Sequence, residues 1–486
     1  MSEKCLQADA YVAKMAPSVN PQYRPHFHAA PPVGWINDPN GFCVYQGRYH
    51  LFAQYYPYDS VWGPMHWGHW VSDDLVSWEW VSVALAPDSP WDDCGCFSGT
   101  ALQVDDRLVI IYTGVHKNEQ GVIVQEQCIA ESRDGVHFEK WACNPVISER
   151  DLPDGTAIDF RDPKLERTAD GFRVIVAHRG ENGGRQLTFT SPDLHNWTYA
   201  GVLLEGIGEM PECPDYSTCC GQKLMLTCVI GVPREGLRFR DVKQDVLYLV
   251  GEEPDGKLNV KRMESVDFGT HCYAPECIVT PDGRNVMIGW LDTWLPDSPT
   301  HYLHHGWRGE YSIARELTLR EGRLYQQPVR ELQKLRGEAF EAQNVAVQGT
   351  CVLPALEGRR FEMETELSVS AGQTAEIRLL QDGDEYFSVH YDADSAVLTA
   401  DHSRCGYTAV KDGAPEENAV GRALVWNASD TLRLQIFVDQ NAVEIFVNDG
   451  AVALSSLAFP RGEAKGISFA GNFVIRTLKK WTIMDA

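Results

Sequence analysis

Short apolar runs, not amphipathic helical stripes, recur along the first two thirds of the chain. Residues 49–55, 108–112, 172–177, 223–227 and 285–289 are rich in aliphatic and aromatic side chains, and their starts lie 59, 64, 51 and 62 residues apart. Each interval has room for about four short strands and their turns, and a repeat of this length marks a radial or stacked architecture. Three copies are followed by the same polar element: Ser72-Asp-Asp-Leu-Val-Ser-Trp78, Ser132-Arg-Asp-Gly-Val-His-Phe138 and Ser191-Pro-Asp-Leu-His-Asn-Trp197. A five-bladed β-propeller over residues 26–332 is the simplest prediction, because a two-sheet sandwich of similar length offers no reason for the period. From residue 345 the pattern changes. Segments 361–367, 431–437 and 442–446 alternate polar and apolar positions, and Val447-Asn-Asp-Gly450 reads as a hairpin turn. An all-β protein follows: an N-terminal extension (1–25), the propeller (26–332), a linker (333–344) and a C-terminal β-sandwich (345–486).

Composition narrows the classes of partner. A net charge of -25 argues against nucleic acid and anionic membranes, which attract basic surfaces. No apolar stretch is long enough to span a membrane, and the first residues lack the basic and apolar blocks of a signal peptide, so a cytoplasmic location is expected. The fourteen cysteines are scattered, many within apolar runs, which suits reduced thiols. Cys94-Gly-Cys96, Cys219-Cys220 and His66-Trp-Gly-His69 lack the partners and spacing of a zinc site, so neither metal nor cofactor is expected. Asn427-Ala-Ser429 is a glycosylation sequon by pattern alone.

Candidate chemistry begins at Trp35-Ile-Asn-Asp-Pro-Asn-Gly41, where turn-forming residues predict a defined bend that projects Asp38. Four other polar positions precede their apolar runs by a similar interval: Ser98 in the second repeat, Asp162 in the third, Glu212 in the fourth and Tyr273 in the fifth. Equivalent positions in a propeller face one end of the central channel. Three carboxylates gathered there repel one another and lose solvation, which raises the proton affinity of at least one. One nucleophilic and one proton-donating carboxyl are what a glycosidase requires. A sugar-binding propeller without catalysis is disfavoured by the complete acid trio.

Blocks of distinctive sequence run from His26 to Gly41, then Gln54-Tyr-Tyr-Pro57, Trp62 with Met65-His-Trp-Gly-His69, and Phe97-Ser98-Gly99. They continue with Phe160-Arg161-Asp162-Pro163, Glu212-Cys-Pro-Asp215, Tyr273-Ala-Pro275, Gly289-Trp290 and Arg315-Glu-Leu317. In these blocks and their order the chain resembles the glycoside hydrolase family 32 enzymes, which include invertases and sucrose-6-phosphate hydrolases. The resemblance implies a propeller followed by a sandwich, and retaining release of terminal β-fructofuranosyl units from sucrose or short fructo-oligosaccharides. Sucrose 6-phosphate hydrolysis and fructosyl transfer are the alternatives within the family. It implies Asp38 as nucleophile, Glu212 as acid/base and Asp162 as stabiliser of the transition state. Arg161 would hold Asp162 ionised; Asn37, Gln54, Ser98 and Tyr273 would bond sugar hydroxyls; Trp35, Trp62, Phe97 and Trp290 would form apolar walls. Retention calls for nucleophile and acid/base carboxyls about 5 to 5.5 Å apart. Glu276 departs from the expected Gln and is an additional acid expected to enter the site and repel a phosphorylated substrate. The sandwich is assigned packing and homo-oligomer contacts.

Overall fold

The computed structural model describes residues 2–485 other than 154, 181–182, 233–235, 241–243, 295–296, 412–413 and 416–418. Five antiparallel sheets of four principal strands surround a central channel. The innermost strands are Gly34–Tyr45, Gly95–Val104, Phe160–Thr168, Met210–Cys219 and Tyr273–Val279. The second strand of each blade contains one of the repeated apolar runs: Arg48–Tyr56, Arg107–Lys117, Gly171–Gly180, Gln222–Ile230 and Asn285–Leu291. These runs are continuous, not alternating, because neighbouring blades cover both of their faces.

The Ser-x-Asp element ends the third strand of blades 1 to 3. Asp74 accepts from the backbone N–H groups of Val76 and Ser77, Asp134 from those of Val136 and His137, and Asp193 from those of His195 and Asn196. A carboxylate thus satisfies the donors of one tight turn three times over, a local reason for the repeat.

Ring closure uses a late segment. Trp307–Arg308 pairs in parallel with the start of Gly34–Tyr45, while Glu310–Tyr311 pairs with Asn285–Leu291, so five residues bridge blades 1 and 5. The N-terminal extension carries helix α1 (Glu3–Met15), capped by Ser2. Asp9 on this helix accepts from the N–H of Val83 on the outermost strand of blade 1, which covers part of an exposed strand edge. No described helix is long and apolar enough to cross a membrane.

Arg330–Leu335 is a short 3-10 helix whose Leu332 and Leu335 are buried, and the strand Arg336–Cys351 follows at once. The linker expected over 333–344 is therefore ordered secondary structure, and the sandwich begins earlier than 345. Its alternating small and charged side chains hide a strand whose partner, the 18-residue strand Gly466–Ile483, lies more than a hundred residues away. Gly466–Ile483 also pairs with Arg360–Ser368 and Thr374–Asp382 and so joins the two layers of the sandwich. The expected hairpin turn is present. Asn448, Asp449 and Gly450 all have positive φ, and a Cβ at Gly450 would lie 1.9 Å from the carbonyl oxygen of Gln326. Only glycine allows this turn to rest on the last propeller strand.

Blade 1 contains a neutral histidine stack. His50 Nδ1 lies 3.0 Å from His69 Nε2, and both rings stack near Phe52. Burial, with Arg48 nearby, lowers His50 to about 4; burial and His50 lower His69. Unfolded histidines bind protons more readily, so this contribution to stability is complete above pH about 6.5 and is lost as the pH falls towards 4. Thermal midpoints measured from pH 7 to 4.5 should fall, and less steeply in a His50→Gln/His69→Gln double variant; equal slopes would refute the assignment.

Candidate active site

Every innermost strand breaks register at the same depth. The irregularities fall between Ile36 and Pro39, between Phe97 and Gly99, opposite Ile175/Ala177 at Asp162-Pro163, between Glu212 and Asp215, and between Tyr273 and Glu276. A β-bulge leaves a residue out of the ladder and re-aims its side chain. Proline follows in four of the five, as Pro39, Pro163, Pro214 and Pro275, where the missing N–H costs no ladder bond. Asp162, Cys213 and Ala274 have positive φ. The bend predicted at Trp35–Gly41 is thus a bulge inside a strand, not a connecting turn, because hydrogen bonds to Arg48–Tyr56 continue on both sides.

These bulges bring Asp38, Ser98, Asp162, Glu212 and Tyr273 into one network. Asp38 Oδ2 accepts from Ser98 Oγ at 2.6 Å, from Gln54 Nε2 at 3.4 Å and from the Cys213 thiol at 3.4 Å. Its Oδ1 is buried without a hydrogen-bond partner of normal geometry, as is Nδ2 of Asn37 beside it. Burial raises the Asp38 carboxyl above its usual range; the Ser98 hydroxyl opposes this and Glu212 adds to it. Asp162 Oδ2 accepts from the backbone N–H of Cys213 at 3.0 Å, and its own N–H donates to Thr113 Oγ1. Burial above all pushes Asp162 up to about 7, with Arg161 opposing and Asp38 and Glu212 contributing.

Glu212 is held at both oxygens. Arg161 Nη2 donates to Oε1 at 2.8 Å and Tyr273 OH to Oε2 at 2.5 Å. The guanidinium of Arg161 lies nearer to Glu212 than to Asp162, which is 3.9 Å from Nε. Its main partner is therefore the glutamate, not the aspartate expected from the adjacent position in sequence.

Two of the four expected ring walls are not at the surface. Trp35 and Trp290 are 1% and 0% exposed and pack against each other and Trp294. Arg308 covers Trp35 at 4.5 Å, and Trp35 Nε1 donates to Asn37 Oδ1 at 2.8 Å. Trp35 thus fixes the amide of Asn37, leaving Nδ2 for another acceptor. The strand alternation turns Trp35 inward, which its position before Asn37 and Asp38 did not disclose. Trp62, 48% exposed, and the partly buried Phe97 meet edge to face at 5.9 Å and remain as an apolar wall.

Glu276 borders the same small cavity as Ser98, Asp162 and Cys213 but is not presented at the surface. It is buried, its Oε2 accepts from Phe42 N–H at 2.6 Å, and burial pushes it up to about 8 while Lys164 opposes. The fifth bulge turns it towards blade 1. Lys164 in turn donates to Asp215 at 2.6 Å, so charges from several blades pair beneath the acid trio. Cys213 was absent from the residue roles read from sequence, although it directly follows Glu212. Its thiol lies between Asp38 and Asp162, a position created by the bulge and the positive φ.

The chain matches the model of the glycosyl hydrolases family 32 N-terminal domain over residues 28–328 and that of the family 32 C terminal over 331–483. It is 34% identical over 472 residues to a sucrose-6-phosphate hydrolase of Escherichia coli, covering 94% of each chain. A raffinose invertase of Escherichia coli is 32% identical over 481 residues, with 96% of each chain covered. Among solved structures, a variant of the Bombyx mori GH32 beta-fructofuranosidase in complex with sucrose superposes with a TM-score of 0.85 at 32% identity, over 100% of this chain and 98% of that one. With both family domains matched in order across nearly the whole sequence, the chain belongs to glycosyl hydrolase family 32.

Proposed function

We propose that this enzyme releases terminal β-fructofuranosyl units by double displacement, with Asp38 as nucleophile, Glu212 as acid/base and Asp162 as stabiliser. The observation that carries the assignment is the unequal treatment of the two Asp38 oxygens. Oδ2 is fixed by Ser98, Gln54 and Cys213, whereas none of these three holds Oδ1, the oxygen this reading assigns to attack on the anomeric carbon.

Glu212 gives its proton to the departing glycosidic oxygen as Asp38 forms the fructosyl ester, and then takes a proton from water as that ester is cleaved. Arg161 and Tyr273 keep its carboxyl in one orientation through both steps. Asp162, fixed by the Cys213 N–H, accepts from fructosyl hydroxyls while positive charge develops on the ring. Asn37 Nδ2 supplies a further donor, and Trp62 and Phe97 flank the entering sugar.

Sucrose and short fructo-oligosaccharides are the substrates this reading favours, and the names of the relatives add sucrose 6-phosphate and raffinose to the panel. A cytoplasmic setting is supported by the fourteen free cysteines, several of them buried. Glu212→Gln should lower fructose release from sucrose about 10²- to 10⁴-fold, the usual worth of a general acid. An aryl β-fructofuranoside, whose leaving group needs little protonation, should form the ester at a nearly normal rate. Equal losses on both substrates in that step would contradict the acid/base role. A glucose-to-fructose ratio of one from sucrose distinguishes hydrolysis from fructosyl transfer, which leaves glucose in excess.

A further inference from the structure

A second carboxylate stands behind the guanidinium that holds Glu212. Arg161 Nη1 donates to Asp159 Oδ1 at 2.7 Å and to Gln125 Oε1 at 3.2 Å, while Nη2 faces Glu212. Asp159 Oδ2 is held by Arg179 Nε at 2.8 Å, and the Arg179 N–H donates to the Asp159 carbonyl at 3.0 Å. Three side chains of blade 3 and the acid of blade 4 therefore form the chain Arg179–Asp159–Arg161–Glu212, closed by Tyr273 from blade 5.

Building on the acid/base role of Glu212, we propose that Asp159 is a positioning residue that divides the charge of Arg161 and so sets the pH range over which Glu212 can protonate the leaving group. A guanidinium at 2.8 Å favours an ionised glutamate, the wrong form for the first step. Asp159 draws part of that charge to the opposite side while keeping the fork aligned. Burial alone would raise the Asp159 carboxyl, but Arg161 and Arg179 hold it below the usual range and keep it ionised. The other groups facing Glu212 are Asp38, Asp162, Tyr273 and the thiol of Cys228. None of them touches the far side of Arg161, where Asp159 sits.

Asp159→Asn keeps the size and an acceptor but removes the charge. Arg161 then acts undivided on Glu212, and the alkaline limb of kcat/KM for sucrose should move to lower pH by about half to one unit. Asp159→Glu should restore the limb. With an aryl β-fructofuranoside of good leaving ability, monitored in the ester-forming step, the Asn variant should match the wild type at alkaline pH. An Asn variant that is slower but keeps the wild-type limb would overturn the proposal and leave Asp159 a structural support. If the wild type releases no fructose from sucrose or the other fructosides, the functional reading fails instead, so the two failures are distinguishable.

Discussion

Asp38→Ala is expected to lower fructose release by on the order of 10⁴-fold or more, with secondary structure retained and the thermal midpoint close to that of the wild type. The loss is large because the ester cannot form, and nothing else at the site can take the place of Oδ1. The Ser98 hydroxyl points at Oδ2, and the Cys213 thiol, which its hydrogen bond with Cys228 and then burial keep protonated, is a poor substitute. Stability should be preserved because the substitution also removes one of three mutually repelling, desolvated carboxyls. Initial rates with sucrose and a thermal melt measure both effects. An alanine variant with more than about one per cent of wild-type activity would end the nucleophile assignment, since covalent catalysis lost at its nucleophile leaves far less.

Arg315→Met should be the most damaging single change to stability, about 3–5 kcal/mol. Arg315 is fully buried between the two domains. Its Nη1 donates to Asp267 Oδ2 at 2.9 Å and Gln326 Oε1 at 3.0 Å, and its Nε and Nη2 reach Glu444 and Ser455 of the sandwich. Glu444 also receives His28 Nε2 at 2.9 Å, and His28 Nδ1 lies 2.9 Å from Asp439. Methionine fills much of the volume but removes the ion pair of Asp267 and leaves Glu444 with His28 and the Ile313 N–H. The partly exposed pair Arg323–Glu264 makes a suitable control, because its loss should cost no more than about 1 kcal/mol. Urea or thermal unfolding that ranks the two alike would refute the argument. His28 adds a signed pH dependence. Although burial opposes the charge, Asp439 and Glu444 raise His28 to about 10, so its contribution is complete below pH about 6.5 and fades as the pH rises towards 10.

The all-β class and the blade count were legible because they rest on near neighbours in sequence. A strand carries its own apolar run, a Ser-x-Asp turn satisfies its own N–H groups, and the interval between runs measures a blade. The common position of Asp38, Ser98, Asp162, Glu212 and Tyr273 before those runs was legible for the same reason, as innermost strand precedes second strand in every blade. Contacts between blades and domains were not. The inward burial of Trp35 and Trp290, the turn of Glu276 towards Phe42, the pairing of Arg161 with Glu212 and the placement of the Cys213 thiol each depend on bulges whose direction is set by the opposing strand. The strand at 336–351 stayed hidden because its partner is distant in sequence. Local periodicity and turn chemistry determined the blades and the candidate acids; tertiary structure decided which partner holds each carboxyl oxygen, because that depends on neighbours the chain brings together only after folding.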